Sequence, residues 1–318
     1  MIEKTLQTQI FPIEKSFKKE LFETLLALDL PEYPNKMGNK QFTTFQRLAL
    51  VILYFRSKLS LREFCAQINN ESLWKRDLKL KYDVRKSTLN DWVKAFDLDF
   101  LKKILDQTNK GDDPKVLGID GTGIDSMFKS SYYKKRLKDF GIKSKSPYHK
   151  LDIISNLENK KKILDFTFSM KQYSDKKQAK RLVNRFKLKN KILIGDKGYY
   201  YYYLFQKLSE KNNVLVVPPL KSTKNCIHKN ILRRKFQKAF YDNEEIYGKR
   251  SNVEGVFSSL KRTILSKIVS KNHMTKKREV AFKILIYNMS KNIFELFLSI
   301  EKMLFFQNYC SKNKINLS

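Results

Sequence analysis

The stretch KILIGDKGYYYYYLFQ, residues 191–206, contains the change of pattern that decides the fold. Its first residues are mostly branched and apolar, which predicts a buried strand over 191–196 with Asp196 at its tip. Gly198 then allows a sharp turn. Large apolar residues recur at helical spacing after it, at Tyr201, Leu204, Phe205 and Leu208. The stretch therefore predicts a strand, a turn and a helix, with a carboxylate where the strand ends.

Further strands and helices lie on both sides of this stretch. Short apolar runs predict strands over 115–120, 150–155, 163–169 and 213–218. Helical spacing predicts helices over 174–186 and 198–211, a long helix from about 246 to 268, and more helix to about 310. The order is strand, strand, strand, helix, strand, helix, strand, helix. It is typical of a ribonuclease H-like α/β fold, in which helices cover a mixed five-stranded sheet.

The residues before this region predict only helices. Apolar residues at helical spacing, Leu48, Val51, Ile52 and Phe55, indicate the first of them. Ser60 and Glu63 form a capping box that predicts a helix through Ile68. Ser87 or Thr88 is expected to cap the next helix. The pattern favours an all-α, helix-turn-helix-like amino-terminal domain, and a small bundle without nucleic-acid contact is an equal alternative.

Two segments rich in helix breakers divide the chain. They are LPEYPNKMGN, residues 30–39, and NKGDDPK, residues 109–115. We expect four parts: a peripheral helical arm over 1–40, a helical DNA-binding-like domain over 41–110, a ribonuclease H-like domain over 111–290 and a carboxy-terminal helical tail over 291–318.

The net charge indicates a polyanionic partner. The 318 residues include 65 Lys and Arg against 32 Asp and Glu, which gives a formal net charge of +33. Nucleic acid is favoured over a membrane surface because the basic residues are spread along the chain rather than gathered on one amphipathic helix. Cys65, Cys226 and Cys310 stand too far apart for a zinc or disulfide pattern. Without an apolar signal-peptide core, we expect a cytoplasmic, nucleoid-associated protein.

Two acids are candidates for chemistry because of their place in the sheet. Asp120, in GIDGTG, and Asp196 each end a predicted strand and are followed by glycine within two residues. Asp125 is an alternative to Asp120, although it follows the glycine turn. His149 precedes the second strand and, as an isolated histidine, is more typical of a structural residue.

Glu254 is the third candidate acid, and helix geometry selects it. In IYGKRSNVEGVFSSLKR, residues 246–262, Tyr247, Arg250 and Lys261 all fall within about 40° of Glu254 at about 100° per residue. The neighbouring stripe is apolar and suits packing on the sheet. An acid among cations on one helix also suits a salt-bridged surface, so the two interpretations stay open at this point.

The spacing Tyr-x2-Arg-x3-Glu-x6-Lys over residues 247–261 follows Asp120 and the Asp-Lys-Gly-Tyr turn at Asp196. This ordered set resembles the DDE transposases of bacterial and archaeal insertion sequences, whose ribonuclease H-like domain carries a Tyr-Arg-Glu-Lys signature. The resemblance covers roughly residues 45–290. One departure is the short connection between the fifth strand and the Glu254 helix, where relatives carry a large β-rich insertion.

The resemblance implies metal-dependent cleavage of DNA at element ends and strand transfer into target DNA. Asp120, Asp196 and Glu254 would then be catalytic residues that hold two Mg²⁺ ions, with Mn²⁺ as an alternative, because hard cations take carboxylate oxygens. Tyr247, Arg250 and Lys261 would grip phosphates beside the cut. The implied partners are the terminal inverted repeats of the element and target DNA, both double-stranded. The implied working form is a homodimer in the synaptic complex.

Three basic windows are expected to contribute to the DNA interface. Residues 129–150 contain eight Lys or Arg against one acid, and 218–240 and 261–278 contain seven each and no acid. The DNA-binding candidates within them are Lys134, Lys135, Arg136, Arg233 and Arg234. Phe236 and Tyr241 are candidate stacking platforms, and Tyr200, Tyr202 and Tyr203 are expected to face solvent or DNA.

Two other functions use the same residues. A ribonuclease H-like nuclease without strand transfer needs the same acids but does not need the Tyr-Arg-Glu-Lys signature. A catalytically inactive DNA-binding regulator derived from a transposase needs only the basic surface. The intact set of three acids favours the transposase.

Overall fold

The protein is described here by a computed structural model. The description covers residues 16–34, 40–70, 72–127, 148–158, 160–170, 173–185, 187–219 and 231–312, without the side chains of 232, 233 and 295–312. None of the described helices combines the length and the hydropathy that a membrane span requires.

Within the described residues, six helices precede the sheet. They are α1 (16–26), α2 (Thr44–Ser57), α3 (Leu61–Asn69), α4 (Leu73–Asp77), α5 (Lys86–Ala95) and α6 (Leu98–Thr108). The predicted capping box is confirmed, since the Glu63 N–H donates to Ser60 Oγ and the Ser60 N–H donates to the Glu63 carboxylate. The predicted cap of α5 is wrong, because α5 begins at Lys86 after Arg85, whose side chain makes no capping bond.

Five strands form one mixed sheet in the order β3-β2-β1-β4-β5. They are β1 (Val116–Ile124), β2 (His149–Asn156), β3 (Ile163–Ser169), β4 (Ile192–Gly195) and β5 (Val214–Val216). β2 is antiparallel to both of its neighbours, β1 and β3. β4 runs parallel to β1, and β5 runs parallel to β4. This confirms the predicted mixed five-stranded sheet and fits a ribonuclease H-like fold.

The helices that follow differ from the prediction at two places. They are α7 (Asp175–Arg185), α8 (Tyr202–Ser209), α9 (Ile231–Tyr241), α10 (Glu244–Tyr247), α11 (Ser251–Thr263) and α12 (His273–Lys312). The tyrosine run does not begin one helix, because Lys197–Tyr199 forms a 3₁₀ turn and α8 starts only at Tyr202. The predicted helix over 246–268 is also broken, because Gly248–Arg250 forms a 3₁₀ turn and α11 ends at Thr263.

The two faces of the sheet are covered by different helices. Apolar side chains of β1 at Leu117 and Ile119 pack with α7 and α8. On the opposite face, Ile153 and Ile194 belong to a core that also includes side chains of α11, α12 and the amino-terminal helices. Side chains alternate across a strand, so Asp120, whose neighbour in β2 is Ile153, lies on the face covered by α11.

Helix α12 connects the amino-terminal helices to the sheet. The Phe282 ring stacks on that of Phe55 from α2, at 5.4 Å between centroids. Asn288 is fully buried, accepts from the Ile163 N–H at 3.0 Å, and donates to Ile163 O at 2.8 Å and Thr108 Oγ1 at 3.1 Å. One polar side chain of α12 thereby bonds to groups on α6 and β3, and it gives the buried Ile163 N–H its acceptor.

Candidate active site

Asp120 and Asp196 lie beside each other at the centre of the sheet. β1 and β4 pair in parallel from Val116–Ile192 up to Ile119–Gly195. The two aspartates follow that last pair, and neighbouring strands lie about 4.8 Å apart. β1 continues past Asp120 to Ile124 because it still pairs with β2, so the prediction that Asp120 ends its strand is wrong. Asp120 instead lies where the β4 side of β1 becomes unpaired.

The turn after β4 is organised by Asp196 itself. One Asp196 carboxylate oxygen accepts from the Gly198 N–H at 2.8 Å and caps the 3₁₀ turn. The turn places the Tyr199 side chain fully inside the protein. Tyr200 stacks on Phe236 at 4.6 Å between ring centroids, so the expectations that Tyr200 faces solvent or DNA and that Phe236 is a stacking platform for bases are both wrong. Tyr202, by contrast, is 48% exposed.

Helix α11 lies along β1 on the face that carries Asp120. Near its beginning, Val253 fills the space over Gly118, where a β-carbon would lie 2.2 Å from Val253 Cγ2. Near its end, Lys261 Nζ donates to Thr122 Oγ1 at 2.6 Å. Asp120 lies between these two anchor points along the strand.

Electrostatic effects connect Tyr247 and Arg250 to the two aspartates. Burial raises the pKa of Asp120; the Asp196 and Asp175 carboxylates raise it further, while the Gly121 N–H and Arg250 oppose the rise. Burial also raises the pKa of Tyr247, and the Asp196 carboxylate adds to that rise. Tyr247 ends α10 and Arg250 ends the 3₁₀ turn that follows it, so both lie outside α11.

Glu254 does not join the two aspartates. Its side chain is 64% exposed, and its carboxylate lies 3.7 Å from Arg250 Nη2. Among the residues that the structure describes, no group of three or more His, Cys, Asp or Glu side chains is close enough to hold a metal ion. Asp120 and Asp196 supply the oxygen donors that Mg²⁺ prefers, and they fit such an ion as a pair. Glu254 completes the set only if its side chain turns away from Arg250.

The structure describes only some of the other predicted DNA-binding residues. Lys134, Lys135 and Arg136 lie outside the described residues, as does the side chain of Arg233. Arg234 is exposed on α9. The Tyr241 ring is 61% exposed and contacts Phe240, at 5.7 Å between centroids.

The two residues weighed against the main candidates lie beside the site. Asp125 is exposed beyond the end of β1 and adds to the charge around Lys261. The His149 ring packs edge-on against Phe168, at 5.6 Å, and its Nε2 lies 3.3 Å from Lys276 Nζ.

A buried ionic cluster behind Asp120 was missed by the sequence interpretation. Lys150 Nζ forms an ion pair with Asp175 and lies 3.7 Å from the Asp152 carboxylate, which is fully buried. Asp152 is the β2 partner of Gly121, and Asp175 lies against Gly198, 3.0 Å from the position of an added β-carbon. The only available signal was an acid and a lysine two residues apart on a predicted buried strand.

The sequence matches the transposase DDE domain family over residues 111–293. This match covers more than half of the 318 residues, and the chain belongs to that family. The class is therefore that of enzymes acting on DNA through a DDE motif. No curated protein sequence matches the chain.

The comparison with solved structures gives a distant resemblance. The cryo-EM structure of the piggyBac transposase synaptic complex with hairpin DNA is 12% identical, with a TM-score of 0.38. The comparison covers 88% of this chain and 71% of that one.

Proposed function

We propose that this protein is an insertion-sequence transposase that cuts DNA at the ends of its element and joins those ends to target DNA. One observation carries the proposal: Asp120 and Asp196 lie side by side where β1 and β4 stop pairing. Membership of the transposase DDE domain family supports an enzyme that acts on DNA. A net charge of +33 supports a DNA partner.

In this proposal Asp120, Asp196 and Glu254 hold divalent cations, Mg²⁺ or Mn²⁺, in the working complex. The ions supply activation of the attacking oxygen and stabilisation of the leaving oxygen at phosphorus. Arg250 is the residue that releases Glu254. A DNA phosphate can accept a bidentate pair of hydrogen bonds from the Arg250 guanidinium, whereas the exposed Glu254 carboxylate lies 3.7 Å from Arg250 Nη2. DNA binding would therefore free Glu254 to turn toward Asp120.

The positive residues position the DNA strand. Arg250 and Tyr247, at the end of β4, would hold the phosphates next to the bond that is cut. Lys261 is already held toward β1 by Thr122, and burial lowers its pKa.

Two displacements at phosphorus account for the reaction. Water attacks the phosphodiester at the element end, the new P–O bond forms as the P–O3′ bond breaks, and the 3′ oxygen leaves as a hydroxyl after gaining a proton. That hydroxyl then attacks a target phosphate and displaces the target 3′ oxygen. Because both steps are in-line displacements of the same kind, one site serves both. Synapsis of two ends requires at least a homodimer.

The test uses end-labelled duplex DNA that carries the inverted repeats flanking the gene, a target plasmid and Mg²⁺. Joined products support the transposase, cleavage without joining identifies a nuclease, and binding without cleavage identifies a DNA-binding regulator. Asp120→Asn, Asp196→Asn and Glu254→Gln are each expected to abolish both cleavage and joining.

Two matched substitutions serve as controls. Asp125→Asn removes the alternative acid, which directly follows β1. Glu245→Gln removes an exposed acid that precedes Glu254 in the sequence. Both are expected to leave cleavage within a few-fold of the unchanged protein. Full cleavage by Glu254→Gln, or loss of cleavage only in Asp125→Asn, contradicts the assignment of the three acids.

A further inference from the structure

Helix α7 carries a group of cations that are held over tyrosine rings. Residues 173–189 contain seven Lys or Arg and a single acid, Asp175. Four of these cations lie over tyrosines of the same region: Lys176 over Tyr201 at 5.9 Å, Lys177 over Tyr173 at 4.2 Å, Lys180 over Tyr203 at 4.6 Å and Arg181 over Tyr173 at 5.3 Å. We call these seven residues the α7–α8 surface.

Four cations of the α7–α8 surface are exposed and are not paired with acids, whereas Arg185 pairs with Asp165 at 3.1 Å. Lys176, Lys177, Lys180 and Arg181 are all exposed. Within the described part of the chain, none of the four takes part in an ion pair; Arg181 donates to the neutral Gln178 side chain at 3.3 Å. Most other lysines near an acid are paired, for example Lys207 with Glu210 at 2.9 Å. Four positive charges thus stand together without counter-charges.

The tyrosines under these cations are fixed in place. The Tyr203 hydroxyl donates to Asn184 Oδ1 at 2.6 Å, which connects α8 to α7. The rings of Tyr201 and Tyr203 stack at 6.0 Å between centroids. A cation over a ring is attracted to the ring face, which favours the position that its side chain holds. The cations are therefore partly preorganised for an anionic ligand.

The α7–α8 surface begins beside the candidate active site but lies on the other face of the sheet. Asp175, the residue before Lys176, lies against Gly198 in the turn that follows Asp196. Helices α7 and α8 cover the face of β1 that carries Leu117 and Ile119. Arg250, Glu254 and Lys261 lie with α11 on the opposite face. The two sets of cations therefore lie on opposite faces of the sheet.

We propose that the α7–α8 surface binds the phosphate backbone of a second DNA segment, separate from the strand held by the α11 residues. This inference rests on the proposed function in one point, namely that the protein acts on a second DNA segment. The segment is either target DNA or the DNA flanking the element end, since both present the same phosphates. The logarithm of the binding constant falls with the logarithm of the salt concentration, and we call the steepness of this fall the salt slope. Four phosphate contacts on B-DNA correspond to a salt slope of about 3.6.

The experiment compares two variants with equal loss of charge. One replaces Lys176, Lys177, Lys180 and Arg181 with alanine, and the other replaces the exposed Lys19, Lys103, Lys110 and Lys115. Affinity for a random-sequence duplex is measured between 50 and 200 mM salt, roughly the range in which counterion release is resolved. The salt slope of the α7 variant is expected to be smaller than that of the control variant by about 3 to 4. Equal slopes for the two variants overturn the proposal.

Substitutions of Tyr203 test whether the rings matter. Tyr203→Phe keeps the ring under Lys180 and loses only the bond to Asn184, so it is expected to retain the affinity. Tyr203→Leu removes the ring and is expected to weaken duplex binding. If Tyr203→Leu binds as well as Tyr203→Phe, preorganisation by the rings is wrong. A slope change seen with an RNA duplex but not with DNA overturns the assignment to DNA.

Two further measurements distinguish the source of the segment. If it is target DNA, the α7 variant cleaves labelled ends normally but joins pre-cleaved ends to plasmid poorly. If it is flanking DNA, the α7 variant loses cleavage of ends with long flanks and keeps cleavage of ends with short flanks. An unchanged protein that neither cuts nor joins contradicts the proposed function, and the duplex-affinity comparison still decides this inference.

Discussion

Val253 lies so close over Gly118 that no larger residue than glycine fits beneath it: an added β-carbon would stand 2.2 Å from Val253 Cγ2 and 2.8 Å from Leu157 Cδ2. Val253 is 1% exposed and precedes Glu254. The distance between α11 and β1, and with it the position of Glu254 relative to Asp120, therefore depends on the absence of a side chain at position 118.

Gly118→Ala is expected to displace α11 and to lower the free energy of unfolding by about 1–3 kcal/mol, as overpacking of a core does. Cleavage should fall further than stability explains, because the residue after Val253 is a proposed metal ligand. Denaturant unfolding and cleavage of labelled ends measure the two effects.

The double variant Gly118→Ala/Val253→Ala tests the cause. It removes the clashing methyl group, so its loss of stability should be smaller than the sum of the two single losses. Gly255→Ala is the control on the same helix, since a β-carbon there meets nothing within 4 Å. It should stabilise α11 by up to about 1 kcal/mol. Additive losses in the double variant would show that contact with Val253 is not the reason.

Lys261→Met is expected to weaken DNA binding and to make the salt slope less steep by about 1, the effect of losing one phosphate contact. Thr122→Val removes the hydroxyl that accepts from Lys261 at 2.6 Å but keeps the charge. It should therefore leave the slope unchanged and reduce only cleavage, because the ammonium loses its anchor. Equal slopes for Lys261→Met and the unchanged protein would exclude Lys261 from the phosphate contacts.

Asn288→Ala is expected to lower the free energy of unfolding by about 2–4 kcal/mol. The substitution leaves the buried Ile163 N–H without its acceptor and removes the bonds to Ile163 O and Thr108 Oγ1. An unsatisfied buried polar group costs about 1–3 kcal/mol. Gln206→Ala, an exposed amide on α8, should stay within about 0.5 kcal/mol. A loss at Asn288 no larger than that of the control contradicts its connecting role.

Asp152→Asn should change how stability depends on pH. Burial raises the pKa of Asp152 to about 7; Asp175 and Asp120 add to the rise, and Lys150 opposes it. Tyr199 also faces this cluster, and its pKa is raised in turn by burial and by Asp152. A carboxyl group whose pKa is raised in the folded state binds more protons there than in the unfolded chain, so stability falls as pH rises from about 4 to about 7.

The asparagine variant lacks this ionisation. Its stability relative to the unchanged protein should therefore increase between pH 4 and 8, by at most about 4 kcal/mol at about 1.4 kcal/mol per pKa unit. Urea unfolding at several pH values measures the difference. A difference that is constant with pH would show that Asp152 ionises normally in the folded protein.

The order of the strands along the chain could be predicted because each strand contains a short run of apolar residues, which is a local signal. The end of β1 could not, since Gly121 and Thr122 form strand only through their pairing with Asp152 and Leu151 of β2. The start of α8 was also missed. The Asp196 carboxylate accepts from the Gly198 N–H in a 3₁₀ turn that precedes α8. The tyrosines therefore do not lie on one continuous helix, and Tyr200 stacks on Phe236.

The sequence by itself determined the class of the fold, the family and the two aspartates at the centre of the sheet, because strand periodicity and motif spacing are properties of neighbouring residues. Only the tertiary structure decided that Glu254 is paired with Arg250 away from those aspartates, and that the buried Lys150 and Asp152 form an ionic cluster with the partly exposed Asp175. The physical reason is that side-chain pairing and burial depend on which elements pack together, and residues far apart in the chain share those environments only after folding.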